Sequence, residues 1–146
     1  MAKQRTERNF EPLDLQPDVA IGVTLPYGKK GGLFQLSYTT EEQSVSNLKN
    51  LLLTRKGERV FQPNFGSDVY SLMFENIDSD LPSTLAAAIT EDIEFWLPYI
   101  VINDINVDVV EDRNYVKISL SFKVTQQGAN REIILYADTA GTVTIE

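Results

Sequence analysis

The sequence contains no cysteine and no histidine. Without cysteine there are no disulfides, thiolate metal sites or thiol nucleophiles. Without histidine the commonest general base and the commonest transition-metal ligand are missing. Serine triads built on histidine and zinc hydrolase helices are therefore excluded, which leaves carboxylate, lysine, tyrosine or threonine chemistry for any catalysis. Long apolar runs are lacking too. None approaches the ~20 residues of a membrane span, and the opening MAKQRTERNF lacks the apolar stretch of a secretory signal, so a soluble, cytoplasmic product is expected. Positive charge is scarce: 13 Lys plus Arg face 21 Asp plus Glu, a formal net charge of −8. That balance opposes non-specific attraction to phosphate backbones or anionic membranes.

What is present suffices for one fold. With 146 residues, 42% of them hydrophobic, the chain can bury a core without metal or disulfide staples. Residues 1–40 read as an extended N-terminal arm. Pro12, Pro17 and Pro26 favour extended backbone, the Gly28 to Gly32 segment reads as a plain turn because it lacks phosphate-loop spacing, and Phe34 and Leu36 are candidate anchors. Residues 41–146 read as a single domain. Thr40 and Gln43 form a capping-box pattern, and Val45, Leu48, Leu51 and Leu52 recur at helical spacing, predicting a helix from about Glu41 to Leu53.

Gly57, Pro63 and Gly66 predict an ordered loop over Thr54 to Gly66, with Phe61 and Phe65 as plugs. Ser67 is a candidate cap for a second helix whose inward face is Val69, Leu72 and Met73. A third helix begins at Asp80 or Leu81 before Pro82, carries Leu85, Ala88, Ile89, Ile93 and Trp96, and ends near Leu97 because Pro98 follows. The period then changes to two. Ile105, Val107 and Val109, then Val116, Ile118, Leu120, Phe122 and Val124, predict a hairpin turning at Asp112 to Asn114, with Arg131 to Tyr136 as a third strand and Thr142 to Glu146 as a fourth. The fold class is α+β: about three helices on an antiparallel meander with a C-terminal edge strand.

Candidate chemistry is thin. Glu58 with Asp68 or Glu75 can be nominated as a glycosidase pair only by proximity, Glu91, Asp92 and Glu94 read as a solvated helix face, and Asp78 and Asp80 lack the further oxygens of a calcium loop. No metal and no cofactor is expected. The basic cluster Arg55, Lys56 and Arg59 reads either as a solvated loop with salt bridges to Glu58 or as a partner surface. Three basic residues would release few counterions, so nucleic acid is not the expected partner. The segment Thr142, Val143, Thr144, Ile145 and Glu146 alternates and could pair with an open sheet edge of another chain, or form a frayed tail or an edge strand of its own sheet.

Residues Asn47 to Asp78, above all LLLTRKGERVFQPNFGSDVYSLMFENID, resemble the baseplate wedge and sheath-initiator family of contractile-tailed bacteriophages. That domain also occurs in contractile injection machines and type VI secretion systems, and is often labelled lysozyme-like. The likeness spans about residues 36–136; Arg55, Gly57, Glu58, Arg59, Phe61, Pro63, Phe65 and Gly66 lie in its loop motif. The resemblance implies a non-enzymatic structural part of the virion's tail baseplate, made in the host cytoplasm, which presents strands to the first sheath ring. It implies as partners the tail-sheath protein, baseplate wedge proteins and tail tube or hub proteins, in several copies of a six-fold assembly, with neither nucleic acid nor membrane. The family's Glu-Pro-Arg signature after the third helix falls on Leu97, Pro98 and Tyr99, where only the proline is retained. The expected wedge contact here is therefore apolar or aromatic. A carboxylate-based peptidoglycan hydrolase and a stand-alone peptide-binding module are the alternatives.

Overall fold

The computed structural model describes residues 18–25, 34–73, 80–110, 115–124, 129–138 and 143–145. Two compact units, 1–46 and 47–146, divide the chain. In the first, β1 (Gly22–Val23) pairs antiparallel with β2 (Leu36–Ser37), so the predicted arm contains a small two-stranded sheet. Phe34 and Leu36, expected as anchors, are exposed. The Gly28 to Gly32 turn and the three arm prolines lie outside the described residues.

Helix α1 (Thr40–Leu53) begins one residue earlier than its sequence pattern suggests. The cap is Thr39, whose Oγ1 accepts from the Glu42 amide at 3.2 Å while the Glu42 carboxylate accepts from the Tyr38 amide. Gln43, expected to close the box, instead takes the Ser37 hydroxyl at 2.6 Å. Ser44 and Ser46 are buried, and each donates to the carbonyl four residues back, which satisfies hydroxyls that would otherwise be costly to bury. Leu48, Leu51 and Leu52 are buried as their spacing predicts, and Val45 is half-buried.

Helix α2 (Val69–Met73) follows Asp68, whose carbonyl accepts from the Leu72 amide. Helix α3 (Leu81–Trp96) has Pro82 in its first turn, where a missing N–H costs nothing, and the Ser83 and Thr84 hydroxyls donate to the Asp80 carbonyl. It ends at Leu97, which leaves the α conformation ahead of Pro98. Its buried stripe is Leu81, Leu85, Ile89, Asp92 and Ile93. Asp92 contradicts the expected solvated acidic face.

Four strands form an antiparallel meander in the order β3 (Ile100–Val110), β4 (Tyr115–Val124), β5 (Arg131–Asp138) and β6 (Val143–Ile145). Strand β4 alternates without exception, with Val116, Ile118, Leu120, Phe122 and Val124 buried. Each such side chain contributes roughly 2 kcal/mol of apolar burial before the entropy of ordering it. Ile118 stands between Val107 and Leu135, and Leu120 between Ile105 and Ile133. Strand β3, an edge strand against which α3 packs, bulges between Ile102 and Asp104, and the Asn103 amide reaches Asn130 Oδ1 at 3.0 Å. The bulge bends the strand and interrupts its ladder.

Candidate assembly surface

The segment from Thr54 to Asp68 is irregular yet tied at many points. The Ser67 amide donates to the Thr54 carbonyl at 2.9 Å, Arg55 and Ser67 form a parallel bridge, and the buried Ser67 hydroxyl donates to the Leu52 carbonyl. Ser67 therefore fastens the loop to the end of α1 and is not the cap of α2. Gly66, at φ +132°, passes so close to this backbone that a Cβ would lie 2.5 Å from the Thr54 carbonyl oxygen. Gly57, at φ +93°, turns the chain so that its amide donates to the Pro63 carbonyl at 2.7 Å. The Glu58 carboxylate accepts from the Arg55 amide.

Among the described residues the basic cluster does not make the salt bridges to Glu58 that one sequence reading expects. Arg55 lies 4.2 Å from the Tyr70 ring centroid and Arg59 lies 3.8 Å from that of Phe65, both within cation–π range. Burial raises the Tyr70 pKa, opposed by Arg55 and assisted by Glu58. Phe65 meets Trp96 edge-on at 5.2 Å, and Trp96 meets Phe95 at 5.0 Å. A chain of rings thus joins the loop to the end of α3. Phe65 is the plug that was expected. Phe61 is not: it is 97% exposed, and Val60 beside it is 88% exposed, because the tight Gly57 to Pro63 closure turns the loop tip outward.

Lys56 carries the ion pairs that were assigned to Glu58. Its Nζ lies 2.6 Å from Asp68 Oδ2 and 2.7 Å from Asp92 Oδ1, clamping the loop to α3. Asp92 is 6% exposed, and its Oδ2 is buried without a hydrogen-bond partner among the described residues. Burial raises the Asp92 pKa, Lys56 opposes it, and Asp68 and Glu91 add to the rise. For Lys56, burial lowers the pKa but the bonds and charges of Asp68 and Asp92 outweigh it, and the net shift is upward. Nothing in the sequence marks Lys56 and Asp92 as partners, since 36 positions separate them and only the fold makes them neighbours.

A raised carboxyl pKa gives a definite sign. Above the ordinary value of 3.8 and up to the raised folded value, the native state binds more protons than the unfolded chain, so Asp92 contributes less stability as pH rises through that window. Chemical denaturation across mildly acidic pH is expected to show wild type losing stability, with increasing pH, relative to Asp92→Asn. A constant difference between the two would count against the buried carboxyl.

The positions after α3 separate into two kinds. Leu97 is buried and is unavailable for the partner contact assigned to it, whereas Pro98 and Tyr99 are exposed. The Tyr99 hydroxyl accepts from Asn47 Nδ2 at 3.0 Å, which fixes the ring's direction. At the C-terminus, Val143–Ile145 is an edge strand of the chain's own sheet, with Thr144 opposite Tyr136. Its far edge has no strand partner among the described residues. Thr142 and Glu146 lie outside the described residues. The nominated carboxylate pair is not assembled as acid and base: Asp68 is held by Lys56 and Glu58 caps the Arg55 amide, while Glu75 lies outside the described residues.

The sequence pattern of the baseplate wedge protein gp25 family matches residues 39–129. The chain belongs to that family. The match contains the whole clamped loop, α2, α3 and the hairpin of β3 and β4, so the loop motif of this gp25-family chain is a set of turn, stacking and close-approach positions. Solved structures agree on the fold. A Geobacter sulfurreducens protein assigned as a candidate tail lysozyme is similar at TM-score 0.62 and 19% identity, covering 70% of this chain and 93% of that one. A chain of the type VI secretion system baseplate complex is similar at 0.54 and 13%, covering 64% and 88%. A chain of the postcontracted pyocin R2 baseplate is similar at 0.53 and 21%, covering 68% and 96%. Comparison with curated proteins gives no match. Membership of the gp25 family gives the chain a structural role as a baseplate wedge protein.

Proposed function

We propose that this gp25-family chain is a non-enzymatic link between the baseplate wedge and the tail sheath, and that it starts the sheath by offering the open edge of its meander to a strand of the first sheath ring. The observation that carries the reading is the family match over residues 39–129 on a chain whose sheet ends in a short strand paired on one side. An unpaired strand edge supplies backbone donors and acceptors that bind a partner strand without needing charged side chains. The wedge contact is assigned to Pro98 and Tyr99, exposed directly after α3. Several copies in the baseplate of the particle, beside the tube or hub, complete the reading.

Its non-enzymatic part is supported by the engagement of Glu58 and Asp68 within the loop. The groove between α3 and β3, lined by Ala86, Ala87, Thr90, Glu91, Glu94 and Ile102 to Ile105, is an open trough whose three carboxylates, Glu91, Glu94 and Asp104, are exposed to water.

Deletion of Gly141 to Glu146 tests the link. The deleted protein is expected to stay folded and to bind wedge proteins while sheath assembly is lost, whereas Tyr99→Ala is expected to weaken wedge binding in a pull-down. Sheaths of normal length on baseplates carrying the deletion would sink the strand-edge role.

A further inference from the structure

The geometry points to a separate docking element: we propose that the loop tip, Val60 and Phe61 with Arg55 and Arg59 behind it, is a preformed knob that enters an apolar socket rimmed by carboxylates on a protein partner. Three independent features converge on it. The first is exposure, since a phenylalanine left 97% accessible next to a valine left 88% accessible is apolar surface with no partner in its own fold among the described residues.

The second is rigidity. Both strands of the loop are pinned close to the tip: the Gly57 amide to the Pro63 carbonyl at 2.7 Å, the Gln62 amide to the Arg59 carbonyl, and the Phe65 amide to the Gln62 carbonyl. Below the tip, Arg59 lies over the Phe65 ring, Phe65 meets Trp96 edge-on, and Lys56 is held by two carboxylates. A floppy loop would lose much of its binding energy to ordering; this one is ordered beforehand.

The third is charge. The Asp68 and Asp92 carboxylates pair with Lys56, whereas the Arg55 and Arg59 guanidiniums lie over the Tyr70 and Phe65 rings. In a protein of net charge −8 the loop behind the apolar tip thus carries two guanidiniums against the one carboxylate of Glu58. An aromatic anchor flanked by arginine is the side-chain chemistry enriched where truncation costs binding most. The two guanidiniums select an acidic socket rim, and the overall negative charge disfavours nucleic acid or an anionic membrane as the occupant.

The proposal rests on the baseplate reading only for its probe, a purified wedge complex assembled without this chain. Phe61→Ser is expected to weaken binding to that complex by about 30-fold or more, with an unchanged melting temperature because the side chain is already in water. Phe61→Leu keeps an apolar tip and is expected to stay within about 3-fold of wild type. Affinity is expected to fall as salt rises. Wild-type binding that Phe61→Ser leaves intact overturns the knob alone. Failure of wild type itself to bind overturns the baseplate reading and the knob with it. A melting temperature lowered by Phe61→Ser, or self-association of the free chain that Phe61→Ser abolishes in sedimentation, likewise overturns it, by showing that the ring is buried within the chain or against a second copy.

Discussion

Gly66→Ala is expected to cost about 3 kcal/mol of folding stability, against about 1 kcal/mol for Gly57→Ala. Both glycines have positive φ, so both substitutions strain the backbone. They differ in space. At Gly57 a Cβ meets nothing within 4 Å, whereas at Gly66 it lies 2.5 Å from the Thr54 carbonyl oxygen and 2.9 Å from Arg55 C and Lys56 N. All three are main-chain atoms, so no side chain can rotate away. Relief requires the loop to part from the end of α1, with loss of the Ser67 amide and hydroxyl bonds to the Thr54 and Leu52 carbonyls. Urea titration of the two variants measures the difference, and equal midpoints would mean that the close approach carries no energy.

Lys56→Met is expected to cost about 2 kcal/mol, below the 3–5 kcal/mol usual for stranding a fully buried charge because the lysine side chain is one-third exposed. The loss is dominated by Asp92, which keeps its buried position without its cation. At the roughly 3 °C per kcal/mol usual for chains of this size, the melting temperature should fall by about 6 °C. Lys56→Met combined with Asp92→Leu is expected to recover most of that, since removing both partners leaves no buried charge to solvate. The pH dependence has a fixed sign. A lysine pKa raised above 10.5 contributes stability that is fully present below that value and is lost as pH rises through the higher folded value. The deficit of Lys56→Met should therefore be present at neutral pH and close both in strong alkali, where Lys56 is neutral, and in acid, where Asp92 is neutral. A double variant no more stable than Lys56→Met would contradict the clamp.

The strands and helices were legible because their signals are local. The alternation from Val116 to Val124 fixes which side chains of β4 face inward, and Pro82 and Pro98 bracket α3 through φ restriction and a missing donor. What escaped the sequence depends on competition between partners. The Thr40 and Gln43 pattern is a valid capping box, but Gln43 is taken by Ser37 and the cap moves to Thr39. Ser67 has the chemistry of a helix cap and spends its hydroxyl on Leu52.

Phe61 and Phe65 look equivalent as aromatic residues in one loop. The backbone closure between Gly57 and Pro63 sends one to water and the other onto Trp96. Leu97 and Tyr99 look equally suited to a contact, yet only Tyr99 is exposed once the chain leaves α3. The family motif was legible as a resemblance before its physical meaning was: Gly66 is there for a close approach and Arg59 for a ring, while Lys56, outside that motif, serves a carboxylate that only the fold brings near.

The place of this chain in an assembled particle is the decisive measurement. A cryo-EM map of a contractile particle containing it is expected to put the chain in the baseplate, between the wedge and the first sheath ring, with Tyr99 against a wedge protein and a sheath strand along the free edge of Val143–Ile145. A map with the chain outside the baseplate, or with the first sheath ring seated without touching its meander, would contradict the proposed link.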